Sequence, residues 1–246
     1  MNISLAAETL FYWGSFPITN TLLVALLVSG LLAIGAIVAT RRLQPVPGRV
    51  QNFIELVIES LFNFITSVTN DRAKSHKFFP IIASIFIFVL LSNLIELIPG
   101  LGTIGLWGSH NGREVLIPFF RSPSADLNFT IAIALTAVIS LQVMGIAVIG
   151  FFKYLSKFFN FHGVVDFFIG ILELISELAK IISFSFRLFG NIFAGEVLLV
   201  VVLFLLPYLA PLPFLFLELF VGFVQALVFA TLTLVFMTVA TSETKH

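Results

Sequence analysis

The chain has 246 residues, 59% hydrophobic, thirty of them phenylalanine, and only 11% are charged, with thirteen basic residues balancing thirteen acidic ones. A water-soluble domain carries about 25% charged residues, so the composition is that of an integral membrane protein, and no basic block suggests a nucleic-acid partner. The absence of cysteine excludes thiolate metal sites, thiol catalysis and disulfides.

Residues 1–18 contain no Lys or Arg, so the first apolar stretch reads as a retained span rather than a cleaved leader. That stretch, 19–40, is uncharged, ends at Arg41-Arg42, and is long enough to cross a hydrocarbon core of about 30 Å. "QPVPG" (44–48) interrupts the helix. Across 49–71, Asn52, Glu55, Glu59, Asn63, Thr66 and Asn70 recur every three or four residues, one polar stripe on an apolar helix. This predicts a helix lying in the interface or packed beneath others, with Glu55 and Glu59 on a solvated face.

A second crossing is predicted over 80–98, stopped by Pro99-Gly100, then a polar loop to about Asp126 and a third crossing over 127–152. From Val164 to Leu206 there is no proline, a run of about 64 Å if helical at 1.5 Å per residue. Such a helix must tilt, bend or run partly along the interface. "LPYLAPLP" (206–213) makes a turn, and 214–240 is the last long apolar helix. The expected architecture is an all-α integral membrane protein forming one membrane domain over 1–246. It has about five membrane-embedded helices and one interfacial amphipathic helix, the last two embedded helices pairing as a long, strongly tilted hairpin.

The basic residues set the orientation. If 49–71 does not cross, Arg41, Arg42, Arg49, Arg72, Lys74, Lys77, Lys153, Lys157 and Lys245 share one side, and only Arg113 and Arg121 are loop cations on the other. The positive-inside rule makes the rich side cytoplasmic and puts the N-terminus outside.

Against that topology the intramembrane charges stand out. Arg187 lies midway along 164–206, where insertion scales put a central arginine at about 2.5–3.5 kcal/mol. No carboxylate lies three or four residues away, and Glu196, nine residues on, falls about 180° around the helix. Arg187 therefore reads either as an arginine that snorkels or pairs locally, or as one awaiting a partner from another helix or chain. Glu96, Asp126, Glu196 and Glu218 gather outside Arg187, while Glu173 and Glu177 lie inside it. Two polar entrances with an arginine between them suit proton transport, because carboxylates in low dielectric exchange protons near neutral pH and a guanidinium does not release its own.

Glu173, Lys180 and Arg187 are spaced by sevens, with Ser183 and Asn191 four residues either side of the arginine. Lys180 is expected to pair with Glu173 or Glu177, or to snorkel to the cytoplasmic face. Asn191 and Gln225 read equally as interhelical hydrogen bonds or as channel groups. Asp166 with His162 reads as helix-start capping. His76, His110 and His246 lie in loops or tails with no second ligand at metal spacing, so no metal or cofactor is expected.

"SFRLFGNIFAGE" (185–196) resembles the signature helix of subunit a of F-type ATP synthases, the membrane-sector stator. The resemblance continues in order through "VPGRVQNFIELVIES" (46–60), "LSNLIELIPG" (91–100), "PSADLNFTIAIAL" (123–135), "ILELISELAK" (171–180) and "FVQALVFATL" (223–232), covering roughly 20–245. It implies that Arg187 is the arginine facing the ring of subunit c. Glu96, Ser124, Asp126, Asn128, Asn191, Glu196, Glu218 and Gln225 then match the outer half-channel, and Glu173 with Ser176 the cytoplasmic exit. Implied partners are the subunit c ring, the peripheral-stalk subunit b, the other synthase subunits, the lipid membrane and protons. The implied location is a bacterial plasma membrane, with the C-terminus cytoplasmic. The family often has glutamate with histidine where this chain has Glu196 and Glu218, which leaves Na⁺ open beside H⁺ as the coupling ion.

The rival from another class is a self-contained secondary transporter in which Arg187 binds an anion. Transporters commonly show paired halves with broken helices at corresponding positions, and no such repeat is evident here. An intramembrane hydrolase has no support: neither H-E-x-x-H nor G-x-S-x-G occurs.

Overall fold

The structure, a computed structural model, describes residues 7–41, 43–98, 100–101, 104–110, 113–156, 158, 164–206 and 211–242. Of the residues singled out above, Arg42, Pro99, Lys157, His162, Lys245 and His246 lie outside these, as do 207–210 of the predicted turn, and His110 and Arg113 are described by backbone alone.

Among the described residues, five helices are long and apolar enough to cross a membrane. They are α1 (Asn20–Arg41), α3 (Arg72–Leu94), α4 (Leu127–Ile149), α6 (Val164–Leu205) and α7 (Pro211–Ala240). Between the first two lies α2 (Arg49–Thr69), the amphipathic helix expected at 49–71, which is not among the five. It ends where Asn70 takes the left-handed conformation at φ 51° and its N–H returns to the Thr66 carbonyl. The all-α membrane class holds, with two additions in the connections. A β-hairpin pairs β1 (Thr9–Trp13) with β2 (Phe16–Thr19), and a second pairs β3 (Gly105–His110) with β4 (Arg113–Pro118) inside the loop expected before Asp126.

Four helix boundaries differ from expectation by three residues or more; one is the end of the second crossing, whose α-helix stops at Leu94 rather than 98 and passes into a 3₁₀ turn over Ile95–Leu97. The crossing predicted to open at Pro80 begins at Arg72, because Asp71 Oδ1 accepts the N–H groups of Ala73 and Lys74 and caps the helix there. Pro80 sits inside it, at the cost of one backbone hydrogen bond. The third crossing stops at Ile149, three residues early, because Gly150 takes φ +94° and turns the chain into the short α5 (Phe151–Leu155). The last helix begins at Pro211, a residue whose fixed φ and missing N–H suit a first helical position.

The core is shared by α3, α4, α6 and α7. Phe184 of α6 packs on Phe229 and Phe236 of α7, with ring centroids 5.1 and 5.8 Å apart. Small and polar groups let the seams close. Asn93 Nδ2 donates to the Gly222 carbonyl across α3 and α7 at 3.0 Å, and Thr130 and Ser185 hydroxyls meet at 3.1 Å across α4 and α6. Only one side of α6 is covered: Glu177, Phe184, Ser185, Leu188 and Ile192 are buried, while Ser183, Arg187, Gly190 and Asn191 are exposed.

Candidate functional site

At one end of α6 a buried polar cluster is assembled by the segment leading into α4. Residues 121–126 form a 3₁₀ turn over Pro123–Ala125, and all six are buried. The Ser122 N–H donates to Glu96 Oε2 at 2.9 Å and the Ser122 hydroxyl to the Ser92 carbonyl at 3.2 Å, tying the turn to the end of α3. Arg121, at the start of the turn and 5% exposed, reaches Glu196 on α6. Its Nε lies 3.1 Å from Oε1 and 3.3 Å from Oε2, and Nη2 donates to Oε2 at 3.1 Å.

Glu218 of α7 completes the cluster. A Cβ on Gly195 would lie 3.0 Å from its Oε1, so Glu218 rests against the α6 backbone one residue before Glu196. Glu218 is 7% exposed and its Oε2 has no hydrogen-bond partner. Glu96 lies within electrostatic reach of Glu196, Glu218 and Arg121. Among the described residues no three His, Asp or Glu side chains converge to hold a metal ion.

The remaining residues predicted for this entrance are placed unevenly. Ser124 is fully buried with its hydroxyl unpartnered. Asp126 caps α4, accepting the Asn128 N–H at 2.9 Å and the Thr21 hydroxyl of α1 at 2.8 Å, so it also fastens the first helix to the bundle. Asn128 is exposed, as is Asn191. Gln225 lies in a recess with Phe184, Arg187, Leu188, Phe229 and Leu232, nearer the arginine than the carboxylates.

Arg187 stands apart from the cluster. It is exposed, donates to Ser183 Oγ at 3.3 Å, and pairs with no carboxylate among the described residues. A groove of about 240 Å³ runs from it along α6 and α7, lined by Ser176, Ala179, Lys180, Ser183, Phe184, Leu232 and Phe236. Lys180 pairs with Glu177 at 2.7 Å, one of its two expected acids, and its Nζ lies 4.8 Å from the centre of the Phe236 ring. Glu177 is buried, and Glu173, one turn earlier, is half-buried.

Two contributors are not among the residues that the sequence motifs single out. Arg121 counted there only as a loop cation, although its place two residues before the "PSAD" motif is a usable signal. Tyr154 of α5 folds back over Gly150, is buried against Gly145 of α4, and donates to Gln142 Oε1. Burial, with the Glu177 and Glu173 carboxylates nearby, pushes its phenol up to about 12.

The chain matches known proteins over nearly its whole length. The sequence profile of the ATP synthase A chain family matches residues 19–238. The ATP synthase subunit a of Campylobacter jejuni is 34% identical over 215 residues, 87% of each chain. That of Syntrophobacter fumaroxidans is 36% identical over 220 residues, 89% of this chain and 81% of the relative, and that of Moorella thermoacetica 30% over 228 residues, 93% of each. With these relatives, the five apolar helices and the ordered motifs in agreement, the chain belongs to the ATP synthase A chain family.

Proposed function

We propose that this chain is the proton-conducting stator subunit of a rotary ATP synthase, in which two offset half-channels load and unload carboxylates on a rotating ring of subunit c. The observation that carries the reading is Arg187: a permanent cation on an exposed, apolar helix face, with no carboxylate partner among the described residues. Such a group is costly in lipid and is accounted for by an acidic partner arriving from another subunit. Gly190 and Ala194, exposed on the same side of α6, allow a second helix to approach closely.

In this mechanism a proton enters through the cluster of Glu96, Glu196 and Glu218 and neutralises a ring carboxylate. The neutral site can turn into lipid, where the ionised one is expensive. After nearly a full turn it meets the groove beside Ser176 and Glu173 and releases the proton to the cytoplasm. The resulting carboxylate is held by Arg187, which keeps it charged and bars direct passage between the two entrances. The membrane potential contributes about 2.3 kcal/mol per charge per 100 mV. The chain performs no covalent chemistry; ATP is made by other subunits. It sits in a bacterial plasma membrane with its N-terminus outside, beside the subunit b stalk, with α2 in the interface and the α6–α7 hairpin tilted along the ring.

The test is ATP-driven proton uptake in inverted vesicles carrying the assembled complex. Arg187→Ala and Arg187→Lys are both expected to abolish uptake while the complex still assembles. Normal pumping by Arg187→Ala would refute the role. The purified chain alone in liposomes is expected to transport nothing, and transport there would revive the self-contained transporter.

A further inference from the structure

We propose that Arg121 is the positioning and specificity-determining residue of the outer entrance. It holds Glu196 as a fixed counter-charge and denies the cluster to sodium, so that ion exchange passes through Glu218. This rests on the outer-entrance reading given above and assigns a division of labour within it.

The geometry divides the two glutamates. Both Glu196 oxygens face Arg121 nitrogens at 3.1–3.3 Å, a charge-assisted contact that neutralises the carboxylate and turns it away from ligating a second cation. Glu218, by contrast, keeps Oε2 buried and unpartnered, with Oε1 against Gly195. An oxygen in that position can take a proton from one neighbour and pass it to the next. Sodium would need several oxygens converging on it, and here one carboxylate is already turned onto a guanidinium that does not lose its charge.

Arg121 is not free to swing aside. The next residue is tied down twice, through its hydroxyl on the Ser92 carbonyl of α3 and its N–H on Glu96 just beyond that helix. The Arg121 side chain itself is 6% exposed. A surface arginine neutralising a stray acid would have neither feature.

The experiment uses inverted vesicles carrying the whole complex, whose lumen corresponds to the outer side, loaded with NaCl or with choline chloride at equal ionic strength. ATP-driven proton uptake by the unaltered complex is expected to be the same in both. Arg121→Gln leaves an uncompensated carboxylate, and its uptake is expected to fall severalfold in sodium relative to choline. Arg121→Lys keeps the charge and is expected to be as indifferent to sodium as the unaltered complex. An Arg121→Gln complex that pumps equally in both salts, or an Arg121→Lys complex as sodium-sensitive as Arg121→Gln, overturns the proposal.

Should Arg121→Gln fail to assemble, Glu196→Gln is compared with the double variant carrying both changes. Recovery of uptake in the double supports action through Glu196, and further loss overturns it. Glu218→Gln separates the two levels of the argument. Undiminished pumping there removes the outer-entrance reading itself, whereas loss there alongside a sodium-blind Arg121→Gln removes only the role of Arg121.

Discussion

The turn at Gly150 brings Tyr154 into tight contact with Gly145, and Gly145→Ala measures that contact. A Cβ built on Gly145 would stand 2.9 Å from Cζ and 3.1 Å from Cδ2 of the Tyr154 ring. Ordinary carbon contacts are about 3.5–4.0 Å, so the ring must move by roughly half an ångström or more. Tyr154 is only 4% exposed and its hydroxyl is committed to Gln142, so it has little room to do so. Overpacking of this kind costs about 1–3 kcal/mol. Replacing a mid-helix glycine with alanine returns up to about 1 kcal/mol in helix propensity. The net expectation for Gly145→Ala is a destabilisation of about 0–3 kcal/mol. In a Tyr154→Ala background the obstacle is gone and only the propensity gain remains, so the same change should stabilise by up to about 1 kcal/mol. Reversible SDS unfolding in mixed micelles of all four chains gives the coupling directly, expected at about 1–3 kcal/mol. Equal effects of Gly145→Ala in both backgrounds would refute the packing argument.

Two further outcomes test neighbouring parts of the structure. Asp126→Ala should lose about 1–2 kcal/mol through the α4 cap and the Thr21 bond, whereas Asp126→Asn keeps a capping oxygen and should be nearer to the unaltered chain in thermal unfolding. If Asp126→Asn is stable yet pumps poorly, the carboxylate serves proton passage as well as capping. Tyr154 should ionise only near pH 12, so the last part of the tyrosinate absorbance at alkaline pH should vanish in Tyr154→Phe. Its folded form holds the proton more tightly than the unfolded one, so stability should fall as pH rises from about 10 to about 12, and Tyr154→Phe should flatten that fall.

Much of the architecture is legible in the residues alone, and the reason is the solvent. A bilayer leaves no water for unpaired backbone groups, so long uncharged runs must be helices, and all five apolar helices follow from that constraint. The exposure of Arg187 is equally local: with no carboxylate at helical spacing, it has no acid on its own helix to pair with and reaches only the Ser183 hydroxyl. Boundaries were less legible where a side chain or a glycine overrides the apolar pattern, as Asp71 does for α3 and Gly150 for α4.

The polar cluster required the folded chain. Glu96, Arg121, Glu196 and Glu218 come from four separate segments, and no periodicity relates them. Residues 75 apart in the chain, Arg121 and Glu196, become a part-buried ion pair only because the turn at 121–126 is tied to the end of α3. Likewise Lys180 had two acids within reach along its helix and took Glu177, beside the Phe236 ring of α7. Hydrophobic length is a property of each segment and survives without its neighbours. Which charge meets which is a property of packing, since a buried charge must find its partner among whatever side chains the other helices bring beside it.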